Sequence, residues 1–567
     1  MKYKLIGTND YRNPLKTLLQ NRNVDDVNGY INMSEEVVIP YQNLANLDKA
    51  VETYKNHVEQ NHNICVVVDP DVDGYTSAAM IYKYTKNLNP DCKLTYLIHD
   101  GKGHGLTSEI DIPNDTNLLI IPDAGTNDTE QCKAISQRGI DIIILDHHEA
   151  EVDNPYAVIV NNQCSPDYNN KQLSGAGIVY KFLQAVDEEM WNEDADNYID
   201  LVALAQIGDN MDMRSCETRY LTNKGLEMIV NQCFEALVNA QSFYFPEGIT
   251  VIGIQFYVTP LINALIRVGT QEEKDILFRA FIEDESETFA YKKRGQKEFT
   301  QETIYERAAR ICKNAKSKQT RILDKQLPEI INHIEENKQN NHEVIITNVT
   351  DYIEQTLTGV VAIKIAERYH KPCLLVRKSN DGTFKGSCRV SDTSPIDNFK
   401  NVLNGLGVAQ AQGHPSACGV SLVGKEIPNA INILDEYIKI NKLQDIGVKK
   451  IDFEIDYEDL ESAYYNIVNL KPYYGYCIDE CNVVVKNIPI GDIEIKGEAQ
   501  NTWSVKVCDE AIELIKFRCP EHETMLQLKG NCTINIIGKM AYSYFKGIKT
   551  AQIIIDDYEV IVNGQRI

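Results

Sequence analysis

Three short apolar runs, ICVVVD, NLLIIPDAG and DIIILDHHE, each end in acidic or histidine residues, and helix-like stretches such as SAAMIYKYTK and QCKAISQRG separate them. Short runs that are apolar throughout read as strands buried on both faces. Strands alternating with helices predict a mostly parallel sheet covered on both sides. In such sheets ligands bind beyond the carboxyl ends of the strands. The residues that follow the runs, Asp69-Pro-Asp71-Val-Asp73, Asp123 and Asp146-His147-His148, all fall at that edge. AVIVNN adds a further strand, and the pattern occupies residues 64 to about 165.

Carboxylates this close repel one another unless something positive lies between them. With DPDVD taken as extended, period two turns Asp69, Asp71 and Asp73 the same way. Each cluster alone has an ordinary reading: a calcium loop or solvated turn for DPDVD, an Asp-x-Gly turn for Asp123, a plain loop for the histidines, a helix cap for Asp209 in LVALAQIGDNMDM. Four such clusters, each behind an apolar element of one α/β region, point together to a metal centre. Oxygen ligands with one or two imidazoles suit Mn²⁺ or Mg²⁺ better than zinc. Two divalent cations, Mn²⁺ preferred and Mg²⁺ the alternative, would neutralise these groups. The reaction class is metal-assisted hydrolysis of a phosphodiester or phosphoanhydride.

A chain of 567 residues needs more than one core, so several domains are expected. A mainly helical stretch runs from GAGIVYKFLQAV to about 330, and its last part, EFTQETIYERAARICKNAKSKQTRIL, reads as one long helix that joins two domains. A second α/β unit follows from about 342 to 440; from about 450 alternating strands predict a small β-barrel or sandwich. Residues 1–60 read as a peripheral segment. The net charge of −25 disfavours broad binding to nucleic acid but leaves room for a basic inner face, for which Lys292, Lys293, Arg294, Lys313, Lys316 and Lys318 are candidates. No apolar run of about 18 residues predicts a membrane span, and MKYKLIGTNDYRN has no apolar signal region. Fifteen scattered cysteines without a CxxC pair point to a reducing interior, hence a cytoplasmic protein.

DPDVDG, DAG, DHH and GDNMD, in this order, resemble the four motifs of the DHH phosphoesterase superfamily. AVIVNNQ with LSGAGIVYKFL, CETRYLTNKGL and PLINALIR resemble the segments that follow in that family. KGSCRV and QGHPSACGVSL are similar to its DHHA1 domain, and LKPYYGY with INIIGKM…GIKTAQIIIDD to the OB-fold of RecJ-type exonucleases. The resemblance implies an α/β fold: a parallel-sheet DHH domain (61–290), a connecting long helix (291–335), a smaller α/β DHHA1 domain (336–445) and an OB-fold-like β-barrel (446–567). It further implies a 5′→3′ exonuclease specific for single-stranded DNA, acting by two-metal in-line attack to release 5′-mononucleotides in recombination, repair or replication.

Carried over residue by residue, the resemblance makes Asp71, Asp73, Asp123, His147 and Asp209 metal ligands, with Asp123 the bridge. Asp69 is a ligand or a supporting acid. Asp146 orients His147, and His148 contacts the scissile phosphate or protonates the leaving oxygen. Asn263 and Arg267 approach a phosphate near the metals; Ser387, Arg389, Gly413 and His414 hold the terminal nucleotide or its phosphate. Gln412 and Asp212 depart from the family pattern. Tyr473, Tyr474, Trp503, Tyr542, Tyr544 and Phe545, with Lys539, Lys546 and Lys549, either stack and steer single-stranded DNA or form barrel core and surface. The expected form is a monomer in the cytoplasm of a bacterium or phage-infected host, and a single-strand binding protein or helicase is a plausible partner. Two alternatives stand beside this reading: a nano-RNase or cyclic-dinucleotide phosphodiesterase, and a non-catalytic replication scaffold. The C-terminal strands argue against the first, and the acid or histidine at every ligand position against the second.

Overall fold

Five parallel strands, β1 (Asn63–Val68), β2 (Lys93–Ile98), β3 (Leu118–Pro122), β4 (Asp141–Asp146) and β5 (Val158–Asn161), form the first sheet in the order β2-β1-β3-β4-β5. They belong to a computed structural model of the chain, which describes all residues except 100–102, 107–109, 293–294, 296–297, 380–381, 392, 395, 397, 424–426, 442, 444–446, 520–531, 546, 563–564 and 567. Strands β1, β3 and β4 are adjacent and buried beyond their first residues, as a sheet covered on both faces requires. Ile64 pairs with Leu118, and Leu118 with Asp141. All three strands run the same way, so their acid-bearing ends emerge side by side.

The DPDVD segment is not extended throughout, which corrects the period-two reading. Asp71 caps helix α1 (Val72–Leu88), its side chain accepting from Gly74 N at 2.9 Å, so Asp73 sits in the first helical turn. The physical reason is an Asp N-cap ahead of a Pro-free run. A strand-to-helix turn, not a pleat, brings the carboxylates together. Helices α2 (Gly175–Met190), α3 (Ile199–Gly208), α4 (Cys216–Glu227) and α5 (Thr259–Val268) are among those that share one core with α1 and β1. The stretch Val251–Val268 is long and apolar enough to pass for a membrane span; here it packs into the protein, 56% buried.

The long helix α6 (Ile304–Glu336) begins later than the sequence suggested. Phe289–Tyr291 and Thr300–Glu302 pair instead as an antiparallel ribbon, and Thr303 with Glu306 forms a capping box. Ala308, Cys312 and Ala315 of α6 belong to the first core, whereas Leu323, Ile330 and Ile334 belong to the core beneath the second sheet. One rigid helix therefore sets the distance between the two units. The second sheet comprises β6 (Ile345–Asn348), β7 (Cys373–Lys378), β8 (Phe384–Arg389), β9 (Ala409–His414) and β10 (Ala417–Leu422), in the order β9-β10-β8-β7-β6. Helix α7 (Thr358–Tyr369) packs on β7 and β8.

The C-terminal sheet has the order β11-β12-β16-β17-β15-β14-β13, for strands Phe453–Asp456, Val483–Pro489, Ile493–Lys496, Thr502–Val507, Ile512–Lys516, Cys532–Phe545 and Ile548–Val562 numbered β11 to β17. No pair closes the path among the described residues, as in a partly open OB barrel. The fold is thus the expected α/β architecture with a C-terminal β-domain.

The N-terminal segment is not peripheral. Tyr3–Leu5 pairs with Lys449–Ile451, and Leu18, Leu19 and Tyr30 lie fully buried in the same core as Phe453 and Ile536. Their sequence pattern was too short to reveal a partner more than 400 residues away.

Candidate metal centre and phosphate-facing cleft

Asp123 follows β3 with a left-handed φ of +63°, a strained conformation that Asp tolerates and that concentrates at functional sites. Its N–H donates to Leu145 O at 2.8 Å, which fixes it against β4. Its Oδ1 lies 3.2 Å from His147 Nε2, which lies 3.5 Å from Asp209 Oδ2. All three atoms are buried, and none has a hydrogen-bond partner among the described residues. Leaving a buried polar atom unpaired costs about 1–3 kcal/mol, so three together mark a place for a group the chain does not supply. Carboxylate oxygens with one imidazole fit a hard divalent cation. Three sets of ligand atoms lie within 4.8 Å of one another: Asp73, His147 and Asp209; Asp69, Asp71 and Asp123; Asp123, His147 and His148.

The electrostatics agree with that fit. Burial, then Asp73 and Asp71, hold the Asp123 carboxyl well above the usual range. Burial, then Asp69 and Asp209, push Asp71 up to about 6. For Asp73 burial outweighs the attraction of His147 and the result is again about 6. Burial and the neighbouring His148 lower the His147 pKa, which keeps an imidazole lone pair available to a metal.

Each carboxylate is held by the element beside it. Asp73 accepts from Gly175 N (2.7 Å) and Ala176 N (2.8 Å) at the start of α2, where the helix dipole favours a negative charge. A Cβ on Gly175 would fall 2.5 Å from Asp123 Cβ, and one on Gly74 would fall 2.5 Å from Asp69 Cβ, so both glycines are demanded by close approach. Asp146 accepts from His147 N (2.7 Å), His148 N (3.2 Å) and Thr126 N (3.1 Å), and the ring it bonds is that of His148, not that of His147 as expected. Burial opposes the charge on His148, but Asp146, 2.8 Å from its Nδ1, outweighs it and raises the imidazolium to about 10.

Asp69 is buried and engaged by His104 Nδ1 (2.6 Å) and Gly105 N (2.8 Å), with His99 Nε2 at 3.9 Å. Sequence reasoning missed His99 and His104. The GHG triplet was the one available signal, and an isolated loop histidine carries no periodicity to read.

Arg267 of α5, in the first unit, and Arg389 of β8, in the second, stand close enough for their charges to act on each other, and Asp71 acts on Arg267 too. Burial, then the charge of Arg389, lower the Arg267 pKa to about 10. Neither guanidinium makes a salt bridge among the described residues; Arg389 donates to Cys388 O at 2.7 Å. A Cβ on Gly359 would lie 2.8 Å from Arg389 Nη2, so this arginine sits over the N-terminus of α7. Two positive features facing each other favour an anion between them. Ser387 Oγ lies beside Thr358 Oγ1 at 3.1 Å, and Gly413, at φ +115°, lets the chain turn into His414. His414 Nε2 comes within 3.8 Å of Asp209 Oδ1, and Gln412, the departure from the family pattern, donates to Glu151 at 3.2 Å. Asn263 and Arg267 line a cavity of about 190 Å³ together with Gly208, Thr259, Lys316 and Gln319.

Lys316 lines the cavity, but Lys313 and Lys318 donate to the carbonyls of Ala240 (3.1 Å) and Val268 (2.7 Å). Lys292 lies over the Phe299 ring, and Lys293 and Arg294 fall outside the described residues. Among the C-terminal aromatics, Trp503 and Tyr474 are core, and Tyr473 stands by the Arg219 guanidinium. Tyr542 lies under Lys549 at 3.7 Å; Lys549 also pairs with Glu247 and Lys539 with Glu480. Tyr544 lies 5.7 Å from Lys549, while Lys546 and the Phe545 side chain fall outside the described residues.

The model of the "DHH family, N-terminal domain" matches residues 63–206, and that of the "RecJ OB domain" residues 451–557. YorK of the SPbeta prophage of Bacillus subtilis strain 168, a provisionally named single-strand DNA-specific exonuclease, is 39% identical over 100% of this chain and 99% of its own length. The single-stranded-DNA-specific exonuclease RecJ of B. subtilis is 23% identical over 91% of this chain and 63% of its own. The crystal structure of RecJ from Thermus thermophilus in complex with Mn²⁺ has the same fold, with a TM-score of 0.71 at 17% identity, covering 98% of this chain and 78% of that one. The chain belongs to the DHH family, in its RecJ-type branch.

Proposed function

We propose that the chain is a metal-dependent exonuclease that degrades single-stranded DNA from the 5′ end to 5′-mononucleotides. The observation that carries this reading is the trio of unpaired buried ligand atoms, Asp123 Oδ1, His147 Nε2 and Asp209 Oδ2, with Arg267 of the same unit and Arg389 of the second unit close to one another beside Asp71. Two divalent cations held by Asp71, Asp73, Asp123, His147 and Asp209 would supply Lewis acidity toward a phosphodiester and an activated water for in-line attack. The chain's own groups do the rest. Arg267 and Arg389 bind phosphate, Ser387 and His414 border the terminal nucleotide, and Asn263 lines its approach. His148, kept protonated by Asp146, donates a proton to the departing 3′-oxygen of that nucleotide.

The test is a polarity assay with Mn²⁺ on 5′-labelled and 3′-labelled single strands and a duplex, for the parent and for Asp123→Ala. Immediate release of labelled mononucleotide from the 5′-labelled strand, absent in the variant, is expected. Survival of long strands while dinucleotides are cut would overturn the reading.

A further inference from the structure

Four aromatic side chains that take no part in the site above are exposed near one end of the cleft: Phe243 (80%), Tyr244 (44%), Phe256 (60%) and Tyr257 (37%). Tyr244 and Tyr257 stack with centroids 3.9 Å apart and planes 10° from parallel, and Phe243 meets Tyr244 edge-on at 5.4 Å. Single exposed aromatics need no explanation, whereas a contiguous group marks an interaction surface.

The local backbone explains how they are presented. Phe256 and Tyr257 ride on a π-helical turn, Ile254–Val258, that leads directly into α5. Such turns are rare and concentrate at functional sites. The same turn carries Gln255, which lines the 190 Å³ cavity with Thr259, Asn263 and Arg267 and donates to Asn210 Oδ1 at 3.1 Å. Asn210 directly follows the ligand Asp209. A chain leaving the cavity past Gln255 therefore meets the rings next.

Lys471 and Lys549 gather at Glu247, three residues from Tyr244, and Lys539 pairs with Glu480, so each of these half-exposed lysines is already matched by a carboxylate. Exposed aromatic rings that continue from the cavity are what a sequence-tolerant platform for single strands requires. We propose that Phe243, Tyr244, Phe256 and Tyr257 form the stacking platform on which bases behind the terminal nucleotides of single-stranded DNA lie as the strand enters the cavity. This inference rests on the exonuclease reading and adds a grip that the C-terminal aromatics, largely occupied within their own domain, do not offer.

The test is fluorescence anisotropy with the full chain in EDTA, so that nothing is cut. Two labelled strands of equal length, oligothymidylate and an abasic strand, are compared for the parent, Phe243→Ala, Phe256→Ala and Phe256→Trp, with Trp191→Ala (Trp191 is 95% exposed elsewhere) as the control. Each alanine variant is expected to weaken oligothymidylate binding about tenfold and leave abasic binding unchanged. Phe256→Trp should restore the affinity, and Trp191→Ala should not alter it. Equal binding of oligothymidylate by parent and alanine variants, or equal losses on both strands, would overturn the platform. If the parent cuts single strands in the polarity assay with Mn²⁺ and binds them in EDTA while the variants match it, only the platform falls. If the parent neither cuts in that assay nor binds, the exonuclease reading falls with it.

Discussion

His414 Nε2, at the end of β9 in the second sheet, lies 3.8 Å from Asp209 Oδ1, the cap of α3 in the first unit. This contact joins the second α/β unit to the acid and histidine cluster of the first. Lys400–Glu149 (3.2 Å) and Gln412–Glu151 (3.2 Å) also link the two units. His414→Ala should therefore lower kcat/KM for single-stranded DNA by about 10–100-fold, the range seen when a group supporting a metal site is lost. Steady-state kinetics with Mn²⁺ checks this, and unchanged kinetics would remove His414 from the site.

Gly175 has no room for a side chain, because its Cβ position lies 2.5 Å from Asp123 Cβ and 2.6 Å from Asp123 Oδ1. Gly175→Ala should displace Asp123 and weaken Mn²⁺ binding about 10–100-fold. The measurement is the rise in melting temperature with Mn²⁺. In the parent a hundredfold excess over Kd adds about 2.7 kcal/mol, and the variant should need far more metal for the same rise.

Arg22 pairs with Asp452 at 2.7 Å, and the Asp452 side chain is 1% exposed. This pair fastens the N-terminal segment to the C-terminal domain. Removing one partner leaves an uncompensated buried charge, so Arg22→Ala should destabilise by about 3–5 kcal/mol. Denaturant unfolding checks the loss. Arg22→Met combined with Asp452→Asn should recover most of it.

Glu454 gives the same attachment a pH dependence. Burial opposes its charge, but Lys486 (2.6 Å) and the Tyr3 hydroxyl (2.6 Å) outweigh burial and hold the carboxyl below its usual value. A depressed folded-state pKa contributes stability that is present above the unfolded value of about 4.3 and lost as pH falls through the folded value. Hydrogen exchange at Tyr3–Leu5, corrected for intrinsic rates, should thus accelerate as pH drops below about 4. Glu454→Gln should flatten that response.

Much of this molecule was legible in its residues alone. Buried apolar runs ending in Asp69, Asp123 and Asp146 specify parallel strands by their period and composition, and parallel strands deliver their carboxyl ends to one edge. The order of acid and histidine clusters pointed to a metal centre, and the structure gathers those clusters within reach of one ion. Only the tertiary structure decided how the ligands meet. Asp73 turns inward because Asp71 caps a helix, Asp123 fits because Gly175 yields space, and Asp69 is anchored by His104 and Gly105 from a loop with no pattern to read. It also buried Trp503 and Tyr474, turned Lys313 and Lys318 to carbonyls, drew residues 1–30 into the C-terminal core, and left Phe243 and Phe256 exposed. Strand and helix periodicity are local properties of a chain; which side chain finds room, charge or cover depends on segments hundreds of residues away.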